Sequence, residues 1–281
     1  MSDCRIVTLY SGSGGNSVYI RIADTAILID AGKSARRLCA ALKDIGSDIS
    51  EIRAIFITHD HGDHTSALEV LSKKCQAPIH ITESSAQIFE RRGCDVVRSR
   101  IVTHTPIYSV ELNEKIRISS FVTPHDSLMS VGYRIEYFDG EEKRAIGVAT
   151  DIGYVTDDIK AGLLGCSAVV LESNHDVDML KSGPYPDHLK RRILSNRGHL
   201  SNEDSAELAA YLAEHGTRAF LLAHLSEENN EPDLALDTVQ RAMWDPFIRV
   251  EVADPELPTE LIIPTEEIEN GRSEIYNPWN A

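Results

Sequence analysis

Ala54-Ile55-Phe56-Ile57-Thr58-His59-Asp60-His61-Gly62-Asp63-His64 joins an apolar run to three histidines and two aspartates. The first five residues have the length and branched character of a short buried strand. Imidazole and carboxylate groups crowded at its end are costly to bury unless something pairs with them. A metal ion is the partner that satisfies them together. Imidazole nitrogens and carboxylate oxygens suit zinc, iron or manganese, and ligand type alone leaves the choice open.

One strand end cannot supply two complete ligand sets, so further ligands are expected at other strand ends. His125 follows Ile118-Ser-Ser-Phe-Val-Thr-Pro124, a strand-like run stopped by proline. Asp151 follows Ala145-Ile-Gly-Val-Ala-Thr150, and His224 follows Ala219-Phe-Leu-Leu-Ala223. Ligands gathered from several strand ends are what a site on a rigid sheet requires. The expected division is His59, His61 and His125 for one ion, Asp63, His64 and His224 for a second, and Asp151 between them. Two divalent ions, zinc or manganese, are therefore the expected cofactors.

The chain has 281 residues with 42% apolar composition, enough for one large domain with a sizeable core. The expected division is a hydrolase domain over 1–264 and a loosely held acidic tail over 265–281. No stretch has the length of a membrane-spanning helix, and the first residues lack the apolar run of a signal peptide. The five cysteines form no C-x-x-C pair and read as small hydrophobes in a reducing, cytoplasmic compartment. With 28 basic and 44 acidic residues the net charge is −16. Phosphate-backbone affinity normally comes from Lys and Arg, so any nucleic-acid grip must be local.

Strands are expected at 5–10, 17–23 and 26–30, with a Gly-rich loop at 11–17 whose Ser13 and Asn16 are candidates for substrate contact. Ser34 heads a helix that Gly46 stops. Helices near 66–75 and 83–92 flank a strand at 78–82. A meander at 116–122, 131–138 and 144–150 carries Asp139-Gly140 as a hairpin signal. Helices near 155–163, 187–195 and 203–215 alternate with strands at 167–171, 218–223 and 248–253, and Ser201 caps the 203–215 helix. Two sheets with helices outside, a four-layer αβ/βα sandwich of the α/β class, fit this order. His80, His104, His188 and His215 have no companions at ligand spacing and read as surface or core residues.

The ordered set His59-x-His61-x-Asp63-His64, His125, Asp151 and His224 resembles the metallo-β-lactamase superfamily over most of the chain. Ser11-Gly-Ser-Gly-Gly-Asn-Ser17, Glu172-Ser-Asn-His-Asp176, Gly198-His-Leu-Ser-Asn202, Leu222-Ala-His-Leu-Ser226 and Asn229-Asn230 resemble one branch, the YycJ (WalJ) group of nuclease-like proteins. The resemblance implies a dinuclear phosphodiesterase acting on DNA, with 5′→3′ exonuclease action favoured. A metal-bridged hydroxide would attack phosphorus. It also implies that His199 protonates the leaving group, with Glu172 as its acidic partner, and Asp63 joins them in the catalytic set. A carboxylate beside the imidazole favours the charged donor form. His175 and the basic residues Lys190, Arg191, Arg192 and Arg197 are further candidates for substrate contact. The alternative is a small-molecule carbonyl hydrolase, a glyoxalase II-type thioesterase or a lactonase, which uses the same metals without needing the His199 and Glu172 pair.

Overall fold

In the computed structural model, which describes residues 4–263, two seven-stranded mixed sheets lie face to face. The first contains β1 (Cys4–Tyr10), β2 (Ser17–Ile22), β3 (Thr25–Ile29), β4 (Ile52–Phe56), β5 (Ile79–Thr82) and β6 (Ile101–His104). The second contains β7 (Ser109–Asn113), β8 (Ile116–Thr123), β9 (Ser130–Asp139), β10 (Glu142–Ala149), β11 (Ala168–Glu172), β12 (Ala219–Ala223) and β13 (Arg249–Val252). A late strand, β14 (Thr259–Leu261), returns to pair with β1 at the edge of the first sheet. Each sheet is antiparallel toward one edge and parallel toward the other, with β3 to β6 parallel in the first and β10 to β13 parallel in the second.

Side-chain alternation builds the layers. Ile27 and Ile29 of β3 face the second sheet, while Ala26 and Leu28 face helices outside. On β11, Ala168 and Val170 enter the inter-sheet core and Val169 and Leu171 pack outward. Strands buried on both faces read as continuous apolar runs, which is why the parallel strands stand out in the sequence. Each buried Ile, Leu or Val contributes about 1.5–3 kcal/mol.

The outer layer of the first sheet includes α1 (Ala35–Asp44), α2 (Gly62–Thr65), α3 (Leu68–Lys74), α4 (Glu83–Arg91) and α5 (Asp95–Arg98). That of the second includes α6 (Asp157–Leu163), α7 (Val177–Ser182), α8 (Asp187–Ile193), α9 (Asn202–Glu214) and α10 (Pro232–Ala242). The four-layer sandwich expected from the sequence is the observed architecture. Ser34 caps α1 by accepting from the Arg37 N–H, and Ser201 caps α9 by accepting from the Asp204 N–H. Among the described residues no helix is long and apolar enough to cross a membrane. The acidic segment 265–281 lies outside the described residues.

Several elements depart from the sequence reading. The helix expected over 66–75 forms as α3, but it is preceded by a separate short helix, α2, which carries Asp63 and His64 of the histidine motif and has no counterpart in the sequence reading. Strands β6 and β7 are edge strands with mostly half-exposed residues, which leaves little apolar signal. Helix α10 buries only Ala235 and Val239, so its apolar face is narrow, although Pro232 marks its start. His80 and His104 do have a companion, namely each other: Nδ1 of His80 lies 2.9 Å from Nε2 of His104. The pair forms across parallel strands β5 and β6, a proximity that separation in sequence conceals.

Candidate metal centre

The ends of β3, β4, β8, β10, β11 and β12 converge at one edge of the sandwich. The carboxyl ends of parallel strands are the usual place for a ligand in an α/β sheet. Strand β8 runs in the same sense as β10, since both pair antiparallel with β9, so His125 reaches the same edge. The backbone there is strained: Asp30 (φ 63°), Asp151 (φ 59°) and His224 (φ 59°) occupy the left-handed region. Non-glycine residues held in that region cost about 1–3 kcal/mol and concentrate at functional sites.

Four groups of side chains there can hold a metal ion, each with one donor atom per residue and all donors within 4.8 Å of one another. They are His59, His61 and His125; Asp63, His64 and His224; His59, His64 and Asp151; and Asp151, Glu172, His199 and His224. The first two coincide with the division expected from the sequence. Asp151 lies between them, with Oδ1 3.7 Å from Nε2 of both His125 and His224 and Oδ2 3.4 Å from Nε2 of His64.

The hydrogen bonds behind the histidines fix which nitrogen faces the centre. Nδ1 of His64 donates to the Asp30 carboxylate at 2.8 Å, Nδ1 of His125 to the Gly198 carbonyl at 3.0 Å, and Nδ1 of His224 to Glu172 at 3.1 Å. Thr58 spends its hydroxyl proton on Asp30, so its oxygen accepts from Nδ1 of His59 at 3.0 Å. Carboxylates and carbonyls only accept, so in each of these rings the lone pair is left on Nε2. Nε2 of His59, His125 and His224, with Oδ2 of Asp151, are buried and have no hydrogen-bond partner among the described residues. Buried orphan acceptors aimed at one point are the donor set that a divalent ion completes, and imidazoles oriented from behind are how metal-binding proteins present them.

Asp30 is a residue that sequence reasoning missed. It was read as the last residue of a strand, but its carboxylate accepts from the Thr58 N–H, the Thr58 hydroxyl and His64. Its signal was present as an acidic residue closing an apolar strand, the same pattern that marked Asp151. Asp126 was also missed; it pairs with Arg192 and lies 3.3 Å from Nε2 of His125.

Glu172, at the end of β11, is fully buried. Its Oε1 accepts from Nδ1 of His199 at 2.7 Å, and its Oε2 accepts from the backbone N–H of Ile152 and Leu200. Burial pushes its carboxyl up, but His199 and His224 outweigh that and hold it down at about 2. Burial likewise raises Asp63, and the His224 and His64 side chains facing it outweigh this and keep it well below the usual carboxylate range.

The Gly-rich loop folds over this edge. Asn16 Nδ2 lies 3.2 Å from Asp63 Oδ2 and 3.1 Å from His64 Nε2, and its amide is locked onto the Gly12 backbone through both heteroatoms. Asn16 is therefore buried against the ligand groups, whereas Ser13 is exposed at the loop tip. A Cβ at Gly32 would sit 1.9 Å from the Asp63 carbonyl oxygen, so only glycine admits this close approach.

The remaining candidates are scattered. His175 is 1% exposed, has no partner at either ring nitrogen among the described residues and joins none of the four groups; its burial leaves no face for substrate. The basic strip is not four free cations, because Arg192 pairs with Asp126 and Lys190 donates to the Lys181 carbonyl. Arg197 donates from Nε to the His125 carbonyl, and Arg191 is exposed.

Comparisons with known proteins agree with this fold. A profile of the beta-lactamase superfamily domain matches residues 25–225. The chain is 34% identical to exodeoxyribonuclease YycJ of Bacillus anthracis, covering 90% of this chain and 96% of that protein. It is 35% identical to exodeoxyribonuclease WalJ of Streptococcus pneumoniae serotype 2, covering 81% and 83% respectively. Among solved structures, the metallo-beta-lactamase fold protein YhfI from Bacillus subtilis superposes with a TM-score of 0.67 at 17% identity, covering 92% of this chain and 99% of that one.

Proposed function

The chain belongs to the beta-lactamase superfamily of metal-dependent hydrolases, and from that premise we propose that it is a dinuclear nuclease that degrades DNA from its ends in the 5′→3′ direction. Similarity to two proteins named exodeoxyribonucleases supports the substrate class. The observation that carries the chemistry is the buried Glu172 bound to Nδ1 of His199 at 2.7 Å.

In this reading His59, His61 and His125 would hold one ion and Asp63, His64 and His224 a second, with Asp151 between the two sets. Zinc or manganese bound there supplies a water activated near neutral pH and positive charge against the phosphate oxygens. Glu172 accepts the Nδ1 proton of His199 and so leaves Nε2 as the atom that delivers a proton to the departing oxygen. Because Glu172 stays ionised, it remains the acceptor for Nδ1 while Nε2 carries the proton to be delivered. Asp63, anionic under all ordinary conditions, holds its negative charge toward the centre. An ester or lactone hydrolase on the same metals has less need of an imidazole–carboxylate pair beside the metal ligands.

The net charge of −16 fits an enzyme that grips DNA only at the site. With Arg192 neutralised by Asp126, Arg191 and Arg197 are the members of the basic strip left to meet phosphates. The direct test uses duplex DNA labelled at either 5′ or 3′ end, and a closed circle as control. Release of nucleotides from 5′ ends with the circle intact is expected; cutting of the circle would replace the exonuclease reading with an endonuclease one.

A further inference from the structure

Leu128 and Tyr154 are 43% and 47% exposed, and both stand on one cavity of about 420 Å³ beside the metal-binding groups. His125 forms part of its wall, joined by Met129, Asn196 and Arg197. Tyr154 sits three residues beyond Asp151, on the same loop, so the cavity and the metal centre share two supports.

The walls are fixed from behind. The Asp60 carboxylate accepts from the Leu128 N–H at 3.0 Å, and the Ser85 hydroxyl donates to the Met129 carbonyl at 2.7 Å. The Gly153 N–H donates to the Pro124 carbonyl at 2.7 Å. A Cβ at Gly153 would sit 2.3 Å from the Asn196 carbonyl oxygen, so the loop carrying Tyr154 packs directly on the loop carrying Asn196. Arg197 uses Nε on the His125 carbonyl and makes no ion pair among the described residues. The cavity thus combines an exposed aromatic ring, an aliphatic side chain, an amide and a guanidinium with uncommitted donors.

Those groups match a nucleobase and its phosphate: an aromatic face for stacking, an aliphatic wall, an amide for the base edge, and a cation for phosphate. The exposed Tyr154 and Leu128 leave apolar surface on this cavity open to a ligand. We propose that this cavity is a nucleobase subsite, holding the base of a nucleotide whose phosphodiester lies at the metal centre; the placement of that phosphodiester rests on the nuclease reading.

The test is equilibrium binding of deoxyadenosine 5′-monophosphate and of 2-deoxyribose 5-phosphate to the full chain, in parallel with its DNA hydrolysis. Stacking on one aromatic ring amounts to about tenfold in affinity, so the nucleotide is expected to bind about tenfold tighter than the base-free sugar phosphate. Tyr154→Ala should erase that preference, Tyr154→Phe should restore it, and Arg197→Gln should weaken both ligands alike. The exposure of Tyr154 means that its truncation removes no core contact. Equal binding of the two ligands by the unaltered protein, or a preference that survives Tyr154→Ala, overturns the subsite whether or not DNA is cleaved. A Tyr154-dependent preference in a protein that cleaves no DNA upholds the subsite and overturns only the nuclease reading.

Discussion

Glu172 Oε1 lies 2.7 Å from Nδ1 of His199 and 3.1 Å from Nδ1 of His224, so one carboxylate oxygen serves both the proposed proton donor and a proposed metal ligand. The two roles separate by mutation. His199→Ala should lower DNA hydrolysis by about 10²–10⁴ with metal content unchanged. Glu172→Gln should lower hydrolysis and also weaken the metal at His224 by about 10- to 100-fold. Metal analysis alongside rates checks this, and equal metal loss in both variants would contradict it.

Asp30 holds a proposed ligand of only the second ion directly, His64, and reaches His59 of the first only through the Thr58 hydroxyl. Asp30→Asn should weaken one of two bound ions by about 10- to 100-fold and affect the other much less. Competition with a chromophoric chelator resolves the two affinities. Equal weakening of both sites would show that the relay through Thr58 to His59 matters as much as the direct bond to His64.

His80 gives a prediction outside the proposed ligand set. Burial, aided by His104, pushes its imidazole from the ordinary 6.5 down to about 4. The unfolded chain therefore takes up this proton first, and the stability contributed by neutral His80 is complete above about pH 6.5 and lost as pH falls toward 4. The full effect is about 3 kcal/mol. Denaturant unfolding of His80→Gln should show a correspondingly flatter fall in stability over that window, and an unchanged slope would refute the assignment.

What could be read from the sequence follows from where each signal lies along the chain. Four of the seven proposed ligands sit within six consecutive residues, and the other three each close an apolar strand, so local pattern finds them. Asp30 obeys the same rule, but its partners Thr58 and His64 are on the loop after β4 and on α2, reached only when β3 and β4 pair in parallel. Asp126 and the His80–His104 contact escape for the same reason. The basic residues 190–192 looked available because sequence cannot show that Asp126 or a backbone carbonyl already holds two of them. Edge strands β6 and β7 were lost because strands with little buried surface carry little apolar periodicity.

The most direct test of the central claim is DNA hydrolysis by metal-free protein as Mn²⁺ or Zn²⁺ is restored from zero to two equivalents, with Asp63→Ala and a thioester substrate alongside. Release of nucleotides that requires the second equivalent, is lost in Asp63→Ala and exceeds any thioester cleavage is the predicted result. Thioester hydrolysis without DNA cleavage under either metal would contradict it.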